Sequence, residues 1–203
     1  MNRLEHFFCS TSLWQRMTHR LLLPWLLSGA HLGENVLEIG AGYGAATGYL
    51  LKLAPHVTSL EYDPRLLQKL QERHHCTELT ALCGDAADLP FADQTFSSAV
   101  AILMLHHLKS KDLQDRALAE VHRVLRPGGS FFALEIDDNW IHRIAHYKST
   151  FTPLTAGSAF ARLTKAGFSK ISVDFRSGGF RVSARRAAME TPKEGPVAAS
   201  ATA

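Results

Sequence analysis

Apolar and polar positions follow two different periods along this chain. Short apolar runs recur between stretches in which apolar residues return every three or four positions, and these runs span residues 35–40, 56–62, 78–83, 97–103 and 130–136. Such runs predict buried parallel β-strands, and the recurrence of apolar residues every three or four positions predicts helices between them. Two later runs, 168–175 and 179–185, are separated by a short glycine-containing link, which predicts an antiparallel hairpin. The pattern predicts an α/β fold with a doubly wound, mostly parallel seven-stranded sheet and an antiparallel C-terminal strand.

The helices between these strands have recognisable start and stop signals. Asp63 directly precedes Pro64, which predicts a capped helix with proline at its first position. A helix over 112–125 ends at a Pro-Gly-Gly sequence. Further helices are predicted over 44–54 and 155–166.

The two ends of the chain differ from its centre. Residues 11–28 predict an amphipathic helix with a kink or break at Pro24. The last residues are rich in Ala, Pro, Glu and Ser, a composition that is typical of disorder. We therefore expect an N-terminal helical cap over 1–30, a main domain over 31–186 and a disordered tail over 187–203.

Composition narrows the class of protein. The 203 residues, of which 46% are hydrophobic, suit one globular domain, and the net charge of +3 gives no extended basic surface for nucleic acid. Three cysteines without a C-x-x-C motif predict a reducing compartment. We find no signal peptide and no apolar run long enough to span a bilayer. A cytoplasmic protein without membrane insertion is expected.

One short segment carries the clearest chemical signal. The strand at 35–40 contains Glu38 and runs into Gly40, Gly42 and Gly44, after which a helical pattern begins. A glycine-rich turn between a buried strand and a helix presents backbone N–H groups to an anionic ligand. Gly40, Gly42 and Ala45 also fit the dinucleotide-binding pattern, and such a glycine cluster occurs in ordinary turns as well. The turn therefore predicts a cofactor site without naming the cofactor.

Two acidic residues follow the next strands. Glu61 closes the strand after the glycine turn, where a carboxylate can accept hydrogen bonds from ribose hydroxyls. A capping role is the alternative for Glu61, although Asp63 already fills that position. Asp85 follows the strand at 78–83 and either accepts a hydrogen bond from an adenine amino group or bonds its own backbone in a turn.

Five ordered sequence blocks resemble a known family. They are Leu37-Glu38-Ile39-Gly40-Ala41-Gly42-Tyr43-Gly44, Glu61-Tyr62-Asp63-Pro64, Gly84-Asp85-Ala86-Ala87-Asp88-Leu89-Pro90-Phe91, Leu105-His106-His107-Leu108 and Glu120-Val121-His122-Arg123-Val124-Leu125-Arg126-Pro127-Gly128-Gly129. Their order and spacing over about residues 33–136 are similar to class I S-adenosylmethionine-dependent methyltransferases of the small-molecule, type 11-like group. The resemblance implies a methyltransferase fold, S-adenosylmethionine as cofactor and a small-molecule acceptor.

The same resemblance implies positions for the cofactor. It places the cofactor against Glu38, Gly40, Ala41, Gly42, Glu61, Tyr62, Asp85 and Ala86. The glycine turn would face the methionine part, Glu61 the ribose, and Asp85 with Ala86 the adenine, while Glu38 would help to hold the amino group. The segments 1–30 and 137–158, which would shape an acceptor pocket, match no motif that we recognise.

Two histidines are candidates for a chemical role at the acceptor site. His107, the candidate catalytic residue, and His106 follow the strand at 97–103, and each could act as a general base or simply pack and hydrogen-bond. His74, His75 and Cys76 lack a second ligand pair, so no metal site is expected.

Two functions other than methyl transfer, and one other class of methyl acceptor, compete with small-molecule methylation. A nicotinamide-dependent oxidoreductase and a non-catalytic cofactor-binding module remain alternatives. Methylation of nucleic acid is disfavoured, because families that methylate base amino groups usually place an Asn/Asp-Pro-Pro-aromatic motif where this chain has Leu-His-His.

Overall fold

The protein forms a single seven-stranded sheet covered by helices. The computed structural model describes residues 2–176 and 178–188, so the predicted tail over 187–203 lies outside the described residues from position 189 onward. The strands are Asn35–Ile39 (β1), His56–Glu61 (β2), Leu79–Cys83 (β3), Phe96–Ile102 (β4), Leu125–Ile136 (β5), Phe168–Arg176 (β6) and Gly179–Arg186 (β7).

Eight α-helices accompany these strands in the described part of the chain. They are Arg3–Ser10 (α1), Ser12–Met17 (α2), Leu23–Leu26 (α3), Thr47–Leu50 (α4), Pro64–Arg73 (α5), Lys111–Val124 (α6), Trp140–Ala145 (α7) and Ala156–Lys165 (α8). A π-helical turn, Thr18–Leu22, joins α2 to α3, and a 3-10 turn, Leu105–His107, follows β4.

The strand order confirms the predicted topology. The strands lie side by side in the order β3-β2-β1-β4-β5-β7-β6. The pairs from β3 to β5 are parallel, whereas β7 runs antiparallel to both β5 and β6. The order of the strands reverses at β1, between β2 and β4, which is the position at which doubly wound sheets open a cleft at the carboxyl ends of their strands.

Two apolar cores, one on each face of the sheet, hold the layers together. On one face, sheet residues such as Leu37 and Phe131 pack against α6 and α8. On the other face, Val36 and Phe132 pack against α3 and α4. Neighbouring residues point to opposite faces because side chains alternate along a strand. Both faces of the central strands are therefore covered, as their apolar sequences predict.

The N-terminal segment differs from its prediction. Instead of one helix over 11–28 broken at Pro24, the chain is helical from Ser12 to Leu26 with a π-helical turn before the proline. Pro24 lies at the start of α3, where the missing N–H is tolerated. Leu23 and Leu26 are buried, while Leu13 and Leu21 are exposed. The π turn shifts the helix phase, so the apolar positions of 11–28 do not form one inward stripe.

Three other elements differ from the sequence pattern. The helix expected over 44–54 is reduced to α4, because the glycine turn continues to Ala46. The strand expected over 130–136 begins at Leu125, since Leu125 pairs with Phe96 before the register shifts. Helix α7 was not predicted.

Candidate active site

The carboxyl ends of the parallel strands open into a cavity of about 650 Å³. Its lining includes the glycine turn after β1, Glu61 at the end of β2, Asp85 after β3 and the 3-10 turn after β4. Helix α1 and residues of the 142–150 segment line its other side. The volume falls within the range of about 300–1,000 Å³ that is usual for small-molecule sites.

The glycine turn has the backbone geometry that its sequence requires. Gly40, Gly42 and Gly44 all have positive φ angles, of 70°, 56° and 74°. A Cβ on Gly40 would lie 2.7 Å from Cβ of Met104, so that position also needs the small residue for packing. A Cβ on Gly42 would meet nothing within 4 Å. Since Gly42 lines the cavity, its open side can receive a ligand.

Glu38 lies buried beneath this turn. Its Oε2 atom accepts hydrogen bonds from the hydroxyls of Thr47 and Ser59, each at 2.6 Å. Burial raises the pKa of the Glu38 carboxyl to about 7, although both hydroxyls favour the charged form. Glu38 also lines the cavity, so a cationic group there would find a carboxylate beside it.

Glu61 connects the end of β2 to the glycine turn. Its Oε2 accepts the N–H of Gly42 at 2.7 Å and its Oε1 accepts the N–H of Asp63 at 3.0 Å. Asp63 itself caps α5, because its side chain accepts the N–H of Arg65. The carboxylate of Glu61 is thus fixed at the cavity wall by two backbone amides, and capping of α5 belongs to Asp63.

The remaining predicted cofactor residues lie along the same wall. Asp85 lines the cavity while its Oδ1 accepts the N–H of Ala87 at 2.9 Å, so the backbone turn that was the alternative for this residue does form. The turn engages Oδ1 and leaves Asp85 exposed at the cavity. Ala86 is buried, Ala41 and Tyr62 also line the cavity, and the Tyr62 side chain is exposed.

A buried hydroxyl from the N-terminal helices also faces the cavity. Thr18, in the π-helical turn, is 1% exposed and lines the cavity. Within the described residues, its Oγ1 atom has no hydrogen-bond partner. Because buried polar groups are nearly always paired, this hydroxyl indicates that a polar ligand group belongs nearby.

A buried network fixes the 3-10 turn that follows β4. The carboxylate of Glu135, 1% exposed in β5, accepts the N–H groups of Met104 and Leu105 at 3.1 and 2.8 Å. Its other oxygen lies 2.6 Å from Nδ1 of His106. These contacts hold the His106 ring at the cavity wall.

His107 is brought together with a histidine from an unexpected part of the chain. The ring centroids of His106 and His107 lie 4.2 Å apart. His146 follows α7, and its ring centroid lies 5.0 Å from that of His106 and 5.4 Å from that of His107. Burial, with the neighbouring histidines, lowers the pKa of His107 to about 3. At neutral pH the His107 ring is therefore an uncharged imidazole.

Helix α1 covers this histidine cluster. The side-chain amide of Asn2 donates to the carbonyls of Ala145 and Tyr147, and Ser149 donates to Glu5. Cys9 and Phe8 of the same helix line the cavity. The N-terminal segment and the segment after α7 together form the roof of the site.

Sequence reasoning missed three of the residues that shape this site. Glu135 gave a signal, because it is a lone acidic residue within an apolar strand. Thr18 and His146 gave none, since they lie in segments without recognisable motifs and reach the cavity only through tertiary packing. His74, by contrast, packs on the glycine turn, with Nε2 3.1 Å from the Gly44 carbonyl oxygen.

Comparison with known proteins identifies the domain. Residues 37–133 match the family model of a methyltransferase domain. An uncharacterized methyltransferase of Synechocystis is 30% identical over 156 residues, which are 72% of this chain and 72% of that protein. A demethylmenaquinone methyltransferase of Tropheryma whipplei is 32% identical over 128 residues, covering 63% of this chain.

Other relatives are longer than this chain. A probable phthiotriol/phenolphthiotriol dimycocerosates methyltransferase of Mycobacterium ulcerans is 38% identical over 106 residues, 51% of this chain. The matches span only 40% of that protein and 50% of the Tropheryma one. The chain thus spans about half the length of several curated relatives.

Solved structures share the fold. The DhpI–SAH complex superimposes with a TM-score of 0.73 at 20% identity, covering 91% of this chain and 92% of that one. The PH0226 protein of Pyrococcus horikoshii gives a TM-score of 0.74 at 18% identity, covering 88% and 93%. The order of the motifs, the sheet topology and these relatives agree, and the chain belongs to the class I S-adenosylmethionine-dependent methyltransferases.

Proposed function

We propose that the cavity binds S-adenosylmethionine and that the protein transfers its methyl group to a small-molecule acceptor. The observation that carries this proposal is the convergence of Glu38, Gly42, Glu61 and Asp85 on one cavity wall. A carboxylate at the end of β2, held against a glycine turn, suits the ribose of an adenosine-containing ligand.

The residues present fit such a cofactor. The open side of Gly42 gives room for the methionine part, and the unpartnered hydroxyl of Thr18 offers a polar contact at the same cavity. Glu61 is assigned to the ribose with Tyr62 beside it, while Asp85 and the buried Ala86 are assigned to the adenine. Glu38 is assigned to the amino group, whose positive charge favours the ionised carboxylate despite its burial.

The cofactor supplies an activated methyl group with a good leaving group, so the protein mainly orients the acceptor and excludes water. Helix α1 and the segment after α7 exclude water, because they cover the cavity over His107. Phe8, Trp14, Met104 and Leu108 make much of the lining apolar. These side chains would pack against an apolar acceptor and leave few water positions.

The acceptor is inferred to be a largely apolar molecule. Relatives are named as methyltransferases of demethylmenaquinone, of phthiotriol dimycocerosates and of fatty acids, all of which are largely apolar molecules. The apolar lining of the cavity supports the same class for this chain.

A direct assay tests this proposal. Purified protein is incubated with S-adenosylmethionine and a panel of long-chain alcohols, phenols, quinols, fatty acids, amines and thiols, and products are measured by mass spectrometry. We expect S-adenosylhomocysteine to form together with the methylated product of a long-chain or aromatic acceptor. Methylation of short polar amines or thiols alone would contradict the acceptor class, and cofactor binding without turnover on any acceptor would favour a non-catalytic module.

We also propose the domain division and compartment that the sequence suggested. The helices before residue 30 act as a cap on the main domain over 31–186, supported by the cavity contacts of α1. A reducing, cytoplasmic setting is supported by the free thiols of Cys9, Cys76 and Cys83. Among the helices of the described residues, none combines the length and the apolar character needed to span a bilayer.

Gly42→Ala should weaken cofactor binding without unfolding the protein. The new methyl group would project into the cavity, and the positive φ would add strain of about 1–2 kcal/mol. We expect the Kd for S-adenosylhomocysteine in calorimetry to rise by about tenfold or more, equal to about 1.4 kcal/mol.

Gly29→Ala is the matched control for that strain. Gly29 has a φ of 71°, and a Cβ added there would also meet nothing within 4 Å, but this glycine lies outside the cavity lining. Gly29→Ala should lose about as much folding stability as Gly42→Ala and bind S-adenosylhomocysteine with wild-type affinity. Equal affinities for Gly42→Ala and wild type would remove Gly42 from the cofactor site.

A further inference from the structure

The histidine cluster at the roof of the cavity has the geometry of a metal-binding site. One ring nitrogen from each of His106, His107 and His146 lies within 4.8 Å of the other two. Around a tetrahedral ion with bonds of about 2.0–2.1 Å, nitrogen ligands lie about 3.4 Å apart. The three nitrogens would therefore have to approach one another by up to about 1.4 Å to share one ion.

The hydrogen bonds of the three rings orient them for this role. Nδ1 of His106 faces the Glu135 carboxylate at 2.6 Å, and Nδ1 of His146 faces the carbonyl of His142 at 2.7 Å. Nδ1 of His107 lies 3.3 Å from the carbonyl of Thr150. Since a carboxylate or carbonyl oxygen only accepts, the hydrogen bond of each ring needs its hydrogen on Nδ1, and a ring with that one hydrogen has its lone pair on Nε2. Nε2 of His146 also lies 3.7 Å from Oε1 of Glu5, so this carboxylate lies beside the proposed site.

We propose that His106, His107 and His146 bind one divalent transition-metal ion, of the Zn²⁺ class, through their Nε2 atoms. Three neutral imidazoles without a thiolate suit zinc and similar first-row ions. Each ligand also has the oxygen partner on Nδ1 that metal-bound histidines usually have, and the Glu135–His106 pair is the carboxylate–histidine arrangement.

The surroundings hold these ligands in place before an ion arrives. The amide of Gln114 donates to the carbonyls of Leu105 and Thr152, which ties the 3-10 turn to the chain that passes over it. The Phe151 ring stacks on the His146 ring, with 4.6 Å between the two ring centroids. A site that is prearranged in this way loses little conformational entropy on binding the ion.

The position of the ion gives it a role, which rests on the proposed methyl transfer. All three ligands line the cavity, so an acceptor in the cavity would be within reach of a fourth coordination position that opens into it. An acceptor hydroxyl bound there would have a lowered pKa. Its proton would pass to the carboxylate of Glu5, which also lines the cavity beside His146, and the O–H electron pair would stay on the oxygen. The ion changes no oxidation state, and the oxygen becomes the stronger nucleophile.

The test uses untagged, full-length protein that has been treated with a chelator and then dialysed. Titration calorimetry with Zn²⁺ alone should give one equivalent bound, and Co²⁺ should give the visible absorption of a nitrogen-ligated, low-coordinate ion. Loss of an outer hydrogen-bond partner costs about 10–100-fold in metal affinity, so His146→Gln and His107→Gln should each cost more than about 100-fold.

His75→Gln is the matched control, because His75 is exposed and lies outside the cavity. It should bind Zn²⁺ like wild type. Absence of stoichiometric binding in the wild type, or unchanged affinity in both cluster variants, would overturn the metal site. S-adenosylhomocysteine binding is measured on the same samples. Binding of S-adenosylhomocysteine without binding of Zn²⁺ would reject the metal site alone. Binding of Zn²⁺ without binding of S-adenosylhomocysteine would reject the cofactor assignment alone.

Discussion

Glu61→Ala should weaken cofactor binding by about 100-fold. The carboxylate would lose its charge-assisted hydrogen bonds to the ribose, each worth about 1.5–3 kcal/mol, and every 1.4 kcal/mol is a factor of ten in Kd. The structure adds a second cause, because Glu61 also holds the N–H of Gly42 at 2.7 Å and thereby fixes the glycine turn. Calorimetry with S-adenosylhomocysteine measures the effect.

Two further variants separate these causes. Glu61→Gln keeps one oxygen for the Gly42 amide but lacks the charge. Its affinity for S-adenosylhomocysteine should therefore lie between those of wild type and Glu61→Ala. Glu72→Ala removes an exposed carboxylate that contacts only Gln68 and Lys69 among the described hydrogen bonds, and it should bind like wild type. Wild-type affinity in a folded Glu61→Ala protein would show that the ribose lies elsewhere.

Glu135→Ala should cause the largest loss of stability. It leaves the amides of Met104 and Leu105 and the Nδ1 of His106 without their buried acceptor. An unsatisfied buried donor costs about 1–3 kcal/mol, so we expect a loss of about 3–5 kcal/mol. For a domain of this size, thermal unfolding should shift down by about 10 °C.

Glu38→Ala is a useful comparison for that variant. Glu38 is equally buried, but its partners are the hydroxyls of Thr47 and Ser59, which can rotate toward other acceptors. Backbone amides cannot turn in this way, so Glu135→Ala should melt at a lower temperature than Glu38→Ala. Equal melting temperatures would show that the amides of the 3-10 turn find other partners.

The core of the fold could be predicted because its signals are local. Apolar runs mark the strands, and the reversal of β7 follows from the short link before Gly179. The glycine turn could be predicted for the same reason, since its conformation depends on residues close in sequence. The position of Glu61 at the end of β2 was also predicted from local sequence, whereas its contact with Gly42, nineteen residues away, was not. Asp85 shows the limit of such reasoning, because the backbone turn engages its Oδ1 and so does not exclude the alternative, a ligand contact through Oδ2.

The two segments that form the roof of the cavity, 1–30 and 137–158, were named from the sequence as those that would shape an acceptor pocket, but the contacts between them could not be predicted, because they join distant parts of the chain. Asn2 reaches Ala145 and Tyr147, and Ser149 reaches Glu5, without any motif in either segment. His146 lies beside His106 and His107 only through tertiary packing, since it is 39 residues from the nearer one in sequence. The expectation that the chain lacks a metal site considered His74, His75 and Cys76, which are neighbours in sequence, and it had no means of placing His146.

The identity of the bound cofactor is the central claim, and one thermal-unfolding comparison tests it most directly. The protein is melted alone, with S-adenosylhomocysteine and with NADH, each ligand at the same concentration. At a hundredfold excess over Kd, a bound ligand stabilises the folded state by about 2.7 kcal/mol, which for this size is about 5–10 °C. We expect that shift with S-adenosylhomocysteine and none with NADH; a shift with NADH alone would contradict the cofactor assignment.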